Sequence, residues 1–455
     1  MKILLLDPHG TAGATKSYLP LGLMYLQSYL KQNGYPLTSL RWVNNIKRKE
    51  FLKLLKTLDP DVLGIPCLSG SRFLTLALAR EAKAYNPRIR VILGGHHATY
   101  LRQQILGAYP FVDYVVKGEG EVSLKELLDH IRLEKNVFEA IPGISLRDHR
   151  GQFLDGPVRG SIVDLDRLPF PCYDDICLRR GFLPRFSILT SRGCLFHCTF
   201  CSATAFYGYQ RRFRSVKSVV AELSYLKQNF KVKRITFNDD LLTANMRHSC
   251  ELFEAIACED FGFEFEVQTH YNFLDKKLLR LMKAAGVVHL AFGLESGSAR
   301  ILKKVNRNLP SAESKSALKE TARLGIMTCA NVIVGWPQRD WQSLIETARQ
   351  LCELNPYYFR TYLLVILPGS ALYEESKKKG IIREEFWLKK PVYPVYGIME
   401  SGLWGAVILM LESYFLMLFF LCKTRSWRRF SMLSWVRVHS ALKYIRDSYL
   451  RCDFT

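Results

Sequence analysis

The chain has 455 residues, 48% of them hydrophobic, and carries 64 Lys and Arg against 42 Asp and Glu, a net charge of +22. That length exceeds what one core usually supports, so a globular chain of two domains plus an appendage is expected. The charge would suit nucleic acid, an anionic membrane surface or a polyanionic cofactor equally well and by itself selects none of them.

The first part alternates short apolar runs with amphipathic segments. Ile3 to Leu6 reads as a strand and meets Asp7 and Pro8 at once, which argues against a secretory leader; a helical pattern runs from Leu21 to Gln32. Val62 to Ile65, a helix around Leu74 to Tyr85, Val91 to Leu93 and Val112 to Val116 continue the alternation. Strands separated by helices imply a parallel sheet. Gly or Pro follows most of these strands, at Pro8 and Gly10, Gly94 and Gly95, and Gly118 and Gly120, leaving backbone close to whatever binds at the strand ends. From about Gly143 to Arg185, breakers such as Gly156, Pro157, Pro169 and Pro171 mark a connection. Beyond it Ser187 to Thr190, Arg234 to Phe237, Phe263 to Gln268, His289 to Gly293, Thr328 to Val334 and Tyr362 to Leu367 read as strands, with helices at Val216 to Phe230 and Asp275 to Ala285. Six such units fit a partial barrel with its chemistry at the C-terminal strand ends.

Leu403 to Cys422 is apolar except for Glu412 and Ser413, close to the length of a membrane span, but a central carboxylate makes it a poor one. From Lys423 onward eight Lys or Arg, interleaved with Trp427, Phe430, Leu433 and Trp435, face only Asp447 and Asp453. Two readings follow: a helical cap packed on the barrel with its basic residues solvated, or an interfacial helix in peripheral contact with a membrane. The division expected is 1–140, a linker over 141–185, a barrel over 186–395 and a basic helical segment over 396–455.

The 12 cysteines lie far apart except in Thr190-Ser-Arg-Gly-Cys194-Leu-Phe-His-Cys198-Thr-Phe-Cys201, just after the first barrel strand. A disulfide framework belongs to small secreted chains, so a reducing, cytoplasmic setting is expected, with Cys194, Cys198 and Cys201 as metal ligands and the rest as packing residues. Three thiolates for the four irons of a cubane leave one iron open to a small molecule, and Gly193 lets the backbone wrap a cluster. The alternative is structural zinc, which takes four ligands in paired spacing; neither a second CxxC nor a suitable His pair accompanies the triplet.

The CxxxCxxC loop with Phe200 before its last cysteine resembles the signature of the radical S-adenosylmethionine (SAM) superfamily. That resemblance implies a 4Fe-4S cluster whose open iron takes the amine and carboxylate of SAM, which one-electron reduction cleaves to a 5'-deoxyadenosyl radical. An electron donor such as flavodoxin or ferredoxin is then expected. Arg212-Phe213-Arg214-Ser215, Ile235 to Asp240 and Phe292-Gly293-Leu294-Glu295-Ser296-Gly297 resemble further pieces of the family. They imply SAM contacts at Phe200, Asp239, Asp240, Gly293 and Glu295, the Asp pair toward the ammonium or ribose and Glu295 toward a ribose hydroxyl. Read without the family, the Asp pair is a helix N-cap and Glu295 a turn residue. Val334-Gly335-Trp336-Pro337-Gln338-Arg339 departs from the usual Gly-Leu-Pro-Gly-Glu.

The first 130 or so residues resemble the Rossmann-like cobalamin-binding domain fused to many radical SAM enzymes, through Pro20-Leu21-Gly22, Asp61 to Ile65, Val91 to Thr99 and Val112 to Glu121. Cobalamin contacts are implied at Gly94, Gly95, His96, Gly118, Glu119 and Gly120. His9 is a candidate axial ligand in Asp7-Pro8-His9-Gly10-Thr11-Ala12-Gly13, where the last glycine falls one place late for Asp-x-His-x-x-Gly. Turn geometry is the plainer reading of the glycines, and a polar loop that of His96 and His97. The fold class expected is α/β: a cobalamin-binding-like domain, a partial (β/α)6 barrel of the TIM type and a C-terminal helical segment.

The leading functional reading is hydrogen abstraction from an unactivated carbon of a small-molecule or lipid-like substrate, followed by cobalamin-dependent methyl transfer. One alternative ends in oxidation, cyclisation or rearrangement, as in the anaerobic magnesium-protoporphyrin ester cyclases of the same family. Another is a non-catalytic iron-sulfur binding or regulatory protein. No nucleic-acid partner is expected, and no general acid, base or nucleophile is identified.

Overall fold

The computed structural model describes residues 1–8, 19–42, 46–133, 141–148, 150–174, 185–390 and 393–424. It divides into two compact units, one of Met1–Ser187 with Ala205–Arg214 and Trp387–Lys389, the other of Ile188–Thr204, Ser215–Phe386 and Lys390–Thr455. The α/β class expected from the sequence holds in both.

The first unit is built on a seven-stranded sheet of β1 (Ile3–Asp7), β2 (Thr38–Trp42), β3 (Val62–Pro66), β4 (Arg90–Gly94), β5 (Tyr114–Val116), β6 (Ile144–Arg147) and β7 (Phe153–Asp155), in the order β2-β1-β3-β4-β5-β6-β7. β1 to β5 are parallel, and β6 and β7 add an antiparallel hairpin. Every residue of β1 is buried, as expected of a parallel strand covered on both faces, so its side chains read as a continuous apolar run. The chain runs from β1 out to β2 and returns to β3 on the other side. The strand order therefore reverses between β1 and β3, where ligands of open α/β sheets bind.

The sequence reading missed β2, whose Thr-Ser-Leu-Arg-Trp has too few apolar residues to stand out on this edge strand. The hairpin lies in the stretch read as a connection. Gly156 ends it where a Cβ would run into the carbonyl oxygens of Ile141 and Ile144. Asp155 ties it down, accepting from Arg102 Nη2 (2.7 Å), Lys117 Nζ (2.6 Å) and Ser145 Oγ (2.6 Å).

The second unit is built on a six-stranded sheet that β8 (Phe186–Ile188) enters at the unit boundary and that continues with β11 (Arg234–Phe237), β12 (Glu264–Thr269), β13 (Val287–Glu295), β14 (Met327–Val334) and β15 (Tyr358–Leu363); the short strands β9 (Ser191–Arg192) and β10 (Arg212–Phe213) come between β8 and β11 in the chain, β10 within the first unit. The order β8-β11-β12-β13-β14-β15 follows the chain, and the pairs from β11 to β15 are parallel. This is the partial barrel expected. The last strand begins four residues earlier than the run Tyr362 to Leu367 suggested, because Arg360 and Thr361 interrupt the hydrophobic pattern inside the strand.

The helix Tyr396–Thr424, broken by Gly402 at φ +57°, packs on the helix Trp341–Leu354 and on β14 and β15. Its Leu409, Leu416, Phe420 and Leu421 are buried. Glu412 at its centre pairs with Arg339 (Nε to Oε1, 2.8 Å) and accepts from the Gly335 N–H (3.1 Å). The helical cap is thus realised, and among the described residues no helix is long and apolar enough to cross a membrane. The basic stretch after it lies outside the described residues.

Candidate active site at the barrel's strand ends

The cysteine loop leaves β8 through Thr190, passes Gly193 at φ +91° and turns at its end, where the Cys201 N–H donates to the Cys198 carbonyl (3.1 Å). Its entrance is pinned by Asp239 at the end of β11. That buried carboxylate accepts from the Thr190 N–H (3.2 Å), Thr190 Oγ1 (2.8 Å) and Ser191 Oγ (2.5 Å). Asp239 therefore orders the loop, while its neighbour Asp240 is exposed and close enough to Cys201 to raise its thiol electrostatically. The pair's N-cap reading is not realised: the caps of the next two helices, the 3-10 turn Leu242–Ala244 and the helix Met246–Glu259, are Leu241 and Asn245.

Burial pushes the Cys198 thiol up to about 11, against the pull of Arg307, whose Nη1 lies 3.8 Å from the sulfur. Burial also raises Cys201, opposed by hydrogen bonds from the Ala203 and Thr204 backbone. Arginine and backbone N–H groups are donors suited to a thiolate, so the sulfurs lose their protons most readily when a metal takes their place. Among the described residues no disulfide involves Cys194, Cys198 or Cys201, and no three His, Cys, Asp or Glu side chains converge on a single metal ion. Thiolates that each take a different corner of a cubane need not converge in that way.

At the end of β13, Glu295 has a left-handed backbone (φ +61°), and burial pushes its carboxyl up to about 7 while Arg307 pulls it down. Gly293 leaves the room this needs, since a Cβ there would collide with the Glu295 carboxylate. Gly297 has a different reason: its Cβ would meet Thr347 Cα at 2.5 Å, so the strand end could not approach the helix Trp341–Leu354. Phe200 packs edge-on against buried Trp336 (5.4 Å between ring centres). Gln338 adopts φ +57°, the left-handed region glycine favours, at the place where Gly-Leu-Pro-Gly-Glu has its second glycine.

Sequence reasoning missed a group on the other side of the loop. His270, just after β12, stacks on Phe196 (4.7 Å), and its Nδ1 accepts from the Asn272 N–H, which puts the ring proton on Nε2. Burial and Arg307 hold it neutral, with a pKa lowered to about 3. Asn306 and Arg307 bind the same loop. Neither histidine nor arginine stands in a pattern that marks it; only the fold brings them to the cysteines.

In the first unit, Gly95 (φ +88°) and Gly118 (φ +64°) stand at strand ends, and the Gly118 N–H donates to Thr99 Oγ1 (3.1 Å). A Cβ on Gly120 would crowd Leu26 Cδ2 at 3.3 Å, so this glycine lets the sheet edge meet helix α1 (Leu21–Gln32). Gly94 is less constrained, a Cβ there finding only ordinary contact with Val116. His96 stacks on Phe206 (3.9 Å) and His97 is buried with Ser69 Oγ 3.1 Å from its Nδ1; burial lowers their pKa values to about 4 and about 3. Both are neutral at pH 7. Glu119 pairs with Arg212 (2.7 Å) and accepts from the Ile162 N–H (2.9 Å), so its carboxylate serves the unit's own packing. His9 lies outside the described residues.

Two family models match the chain. The Radical SAM superfamily covers residues 188–351, and the B12 binding domain covers residues 11–128. The chain joins a B12-binding domain to a radical SAM domain. Over 397 residues it is 29% identical to an uncharacterized methyltransferase of Pyrococcus horikoshii, covering 86% of both chains. It is 28% identical to the anaerobic magnesium-protoporphyrin IX monomethyl ester cyclase of Rubrivivax gelatinosus, over 83% of this chain and 70% of the relative. The radical SAM methyltransferase TsrM of Kitasatospora setae, solved with tryptophan and a SAM analogue, shares the fold at a TM-score of 0.69 and 18% identity, over 84% of this chain and 77% of that one.

These likenesses mark an enzyme of the methyltransferase-like kind, with cyclases as a smaller branch. The two domain types imply a 4Fe-4S cluster, SAM and cobalamin. The donor set of the radical SAM domain fits the cluster: three thiols of one loop, flanked by backbone donors, a buried guanidinium and the carboxyl of Glu295.

Proposed function

We propose that the protein transfers a methyl group to an unactivated carbon of a small-molecule substrate, with Cys194, Cys198 and Cys201 holding a 4Fe-4S cluster. The observation that carries this is the convergence of the cysteine loop, Asp240 and Glu295 at one end of the barrel, in a chain that also has a B12-binding domain. When bound, the cluster with SAM supplies one-electron chemistry and cobalamin a methyl group. The chain's own residues do the holding. Asp239 fixes the loop entrance, Phe200 and Trp336 wall the loop with aromatic surface, Asp240 offers an exposed carboxylate to an ammonium or hydroxyl, and Glu295 does so from a buried one. In the B12-binding domain Gly94, Gly95, Gly118 and Gly120 offer backbone at the sheet edge, with His96 beside them.

The test is product analysis of the anaerobically reconstituted enzyme with methyl-labelled SAM. Deoxyadenosine together with S-adenosylhomocysteine and a labelled product is expected. Deoxyadenosine without S-adenosylhomocysteine would replace methylation with cyclase-type chemistry, and absence of both bound corrinoid and methyl transfer would overturn the reading. The reaction draws an electron from a donor of the flavodoxin or ferredoxin type, in a reducing cytoplasmic setting.

Peripheral membrane contact belongs to the same proposal, together with a lipid-like substrate. Trp404, Ile408, Leu411 and Leu418 are 76, 39, 56 and 50% exposed on the helix Tyr396–Thr424, at the spacing of one helical stripe, and exposed Trp341 lies against Phe415 beside it (5.9 Å). The sequence after this helix is strongly basic, and apolar area next to cationic residues suits an anionic lipid surface. Sedimentation with phosphatidylcholine vesicles containing phosphatidylglycerol is expected, and the Trp404→Ser, Leu411→Ser double variant should lose most of it. No sedimentation, or concentration-dependent dimerisation in its place, would remove the membrane from the proposal.

A further inference from the structure

The turn after the helix Ala299–Lys304 clasps the cysteine loop. Asn306, at φ +58°, donates from Nδ2 to the His197 carbonyl (2.9 Å). The next side chain, Arg307, is only 9% exposed and reaches three places at once: Nη2 donates to the Gly293 carbonyl (2.6 Å), while Nη1 lies 3.8 Å from Cys198 Sγ and 3.8 Å from Glu295 Oε1. The guanidinium carbon stands 6.0 Å from the centre of the Phe196 ring and 5.9 Å from that of Tyr271. Tyr271 in turn donates to the Asn308 carbonyl and holds the far side of the turn. Arg307 Nε has no partner among the described residues.

A guanidinium so buried needs negative charge nearby. The carboxylate within 4 Å, that of Glu295, is too far for a direct hydrogen bond, whereas 3.8 Å is within hydrogen-bonding distance of a large sulfur. Reduction potentials of iron-sulfur centres follow net charge and hydrogen bonds to the sulfurs. A cation fixed beside one ligand sulfur favours the state with one more electron.

We propose that Arg307 is a positioning residue that raises the reduction potential of the cluster by setting its cation beside the Cys198 ligand. Glu295 opposes it, drawing part of that charge away from the sulfur. The electron comes from the external flavodoxin- or ferredoxin-type donor, and the cluster is reduced by one electron with no bond made or broken in that step. This rests on the reading that the three cysteines hold a 4Fe-4S cluster.

The test is a redox titration of anaerobically reconstituted protein without SAM, followed by electron paramagnetic resonance of the reduced cluster. Arg307→Gln is expected to lower the reduced-to-oxidised ratio at a fixed solution potential about tenfold, equivalent to about 59 mV for a one-electron couple. Arg307→Lys, which keeps the charge, should stay near wild type. Asn306→Ala, which loosens the clasp and keeps the charge, should too. Equal potentials for Arg307→Gln and wild type at equal iron content overturn the proposal, as does an Arg307→Lys or Asn306→Ala shift as large as that of Arg307→Gln. Should Arg307→Gln assemble no cluster, Glu295→Gln decides, because removing the opposing carboxylate must move the potential upward; no shift or a downward one overturns it. A wild-type protein that takes up no iron defeats the cluster reading itself, a different result from a cluster whose potential ignores Arg307.

Discussion

Glu295 sits in a conformation unusual for any residue but glycine, and its buried carboxyl is raised from 4.5 to about 7. An acid whose folded-state pKa is raised contributes stability that is fully present below its unfolded pKa and is lost as pH rises through the folded one. The window here is therefore pH 4.5 to 7. Glu295→Gln, a mimic of the protonated acid, should match wild type near pH 4.5 and exceed it by about 1 to 3 kcal/mol at pH 8 in urea denaturation of the cluster-free protein. At this scale the cysteines stand out in the sequence by their spacing, whereas Gly293 and Glu295 were named only through the family resemblance. Asp239 and Asp240 were not separable: adjacent residues in one motif, they are divided by which points back at Thr190 and which outward.

The hairpin of β6 and β7 depends on Asp155, whose carboxyl, against a partial desolvation that would raise it, is held well below the usual range by Arg102, Lys117 and Ser145. A depressed carboxylate contributes stability above its unfolded pKa and loses it as pH falls. With solvent screening of this exposed carboxylate, Asp155→Asn should thus cost about 1 kcal/mol at pH 7, and the difference should shrink as pH drops below about 4, measured by chemical denaturation across pH. At the other end of the chain, Glu412→Ala leaves Arg339 with its Glu412 partner gone and should destabilise by about 3 kcal/mol, with faster proteolysis around the helix Tyr396–Thr424. Replacing the pair together, Arg339→Met with Glu412→Leu, should recover most of that loss. A nearly unbroken apolar run announced this helix, and Glu412 spoke against a membrane span. Its partner Arg339 stands 73 positions away by number and could be matched to it only in three dimensions.

In the whole molecule, the residues proposed to contact cobalamin and those proposed to hold the cluster fall in separate compact units. Replacing Cys194, Cys198 and Cys201 together by Ala should abolish iron uptake and the cluster's absorption while leaving corrinoid absorption in the anaerobically purified protein; loss of both would show that the two sites do not assemble independently. The α/β class, most of the barrel strands and the cysteine loop were readable from the sequence, because strand and helix periods and ligand spacing are local properties of the chain. Edge strand β2 escaped, since a strand with few apolar residues takes its identity from its neighbour β1. The hairpin escaped for a similar reason, its short strands being stabilised by an Asp155 network spanning several elements. The tertiary structure alone decided that Asp239 serves Thr190, that Glu119 serves Arg212 and that Arg307 lies beside Cys198, because buried charge is matched through space, over separations that no local pattern in the chain records.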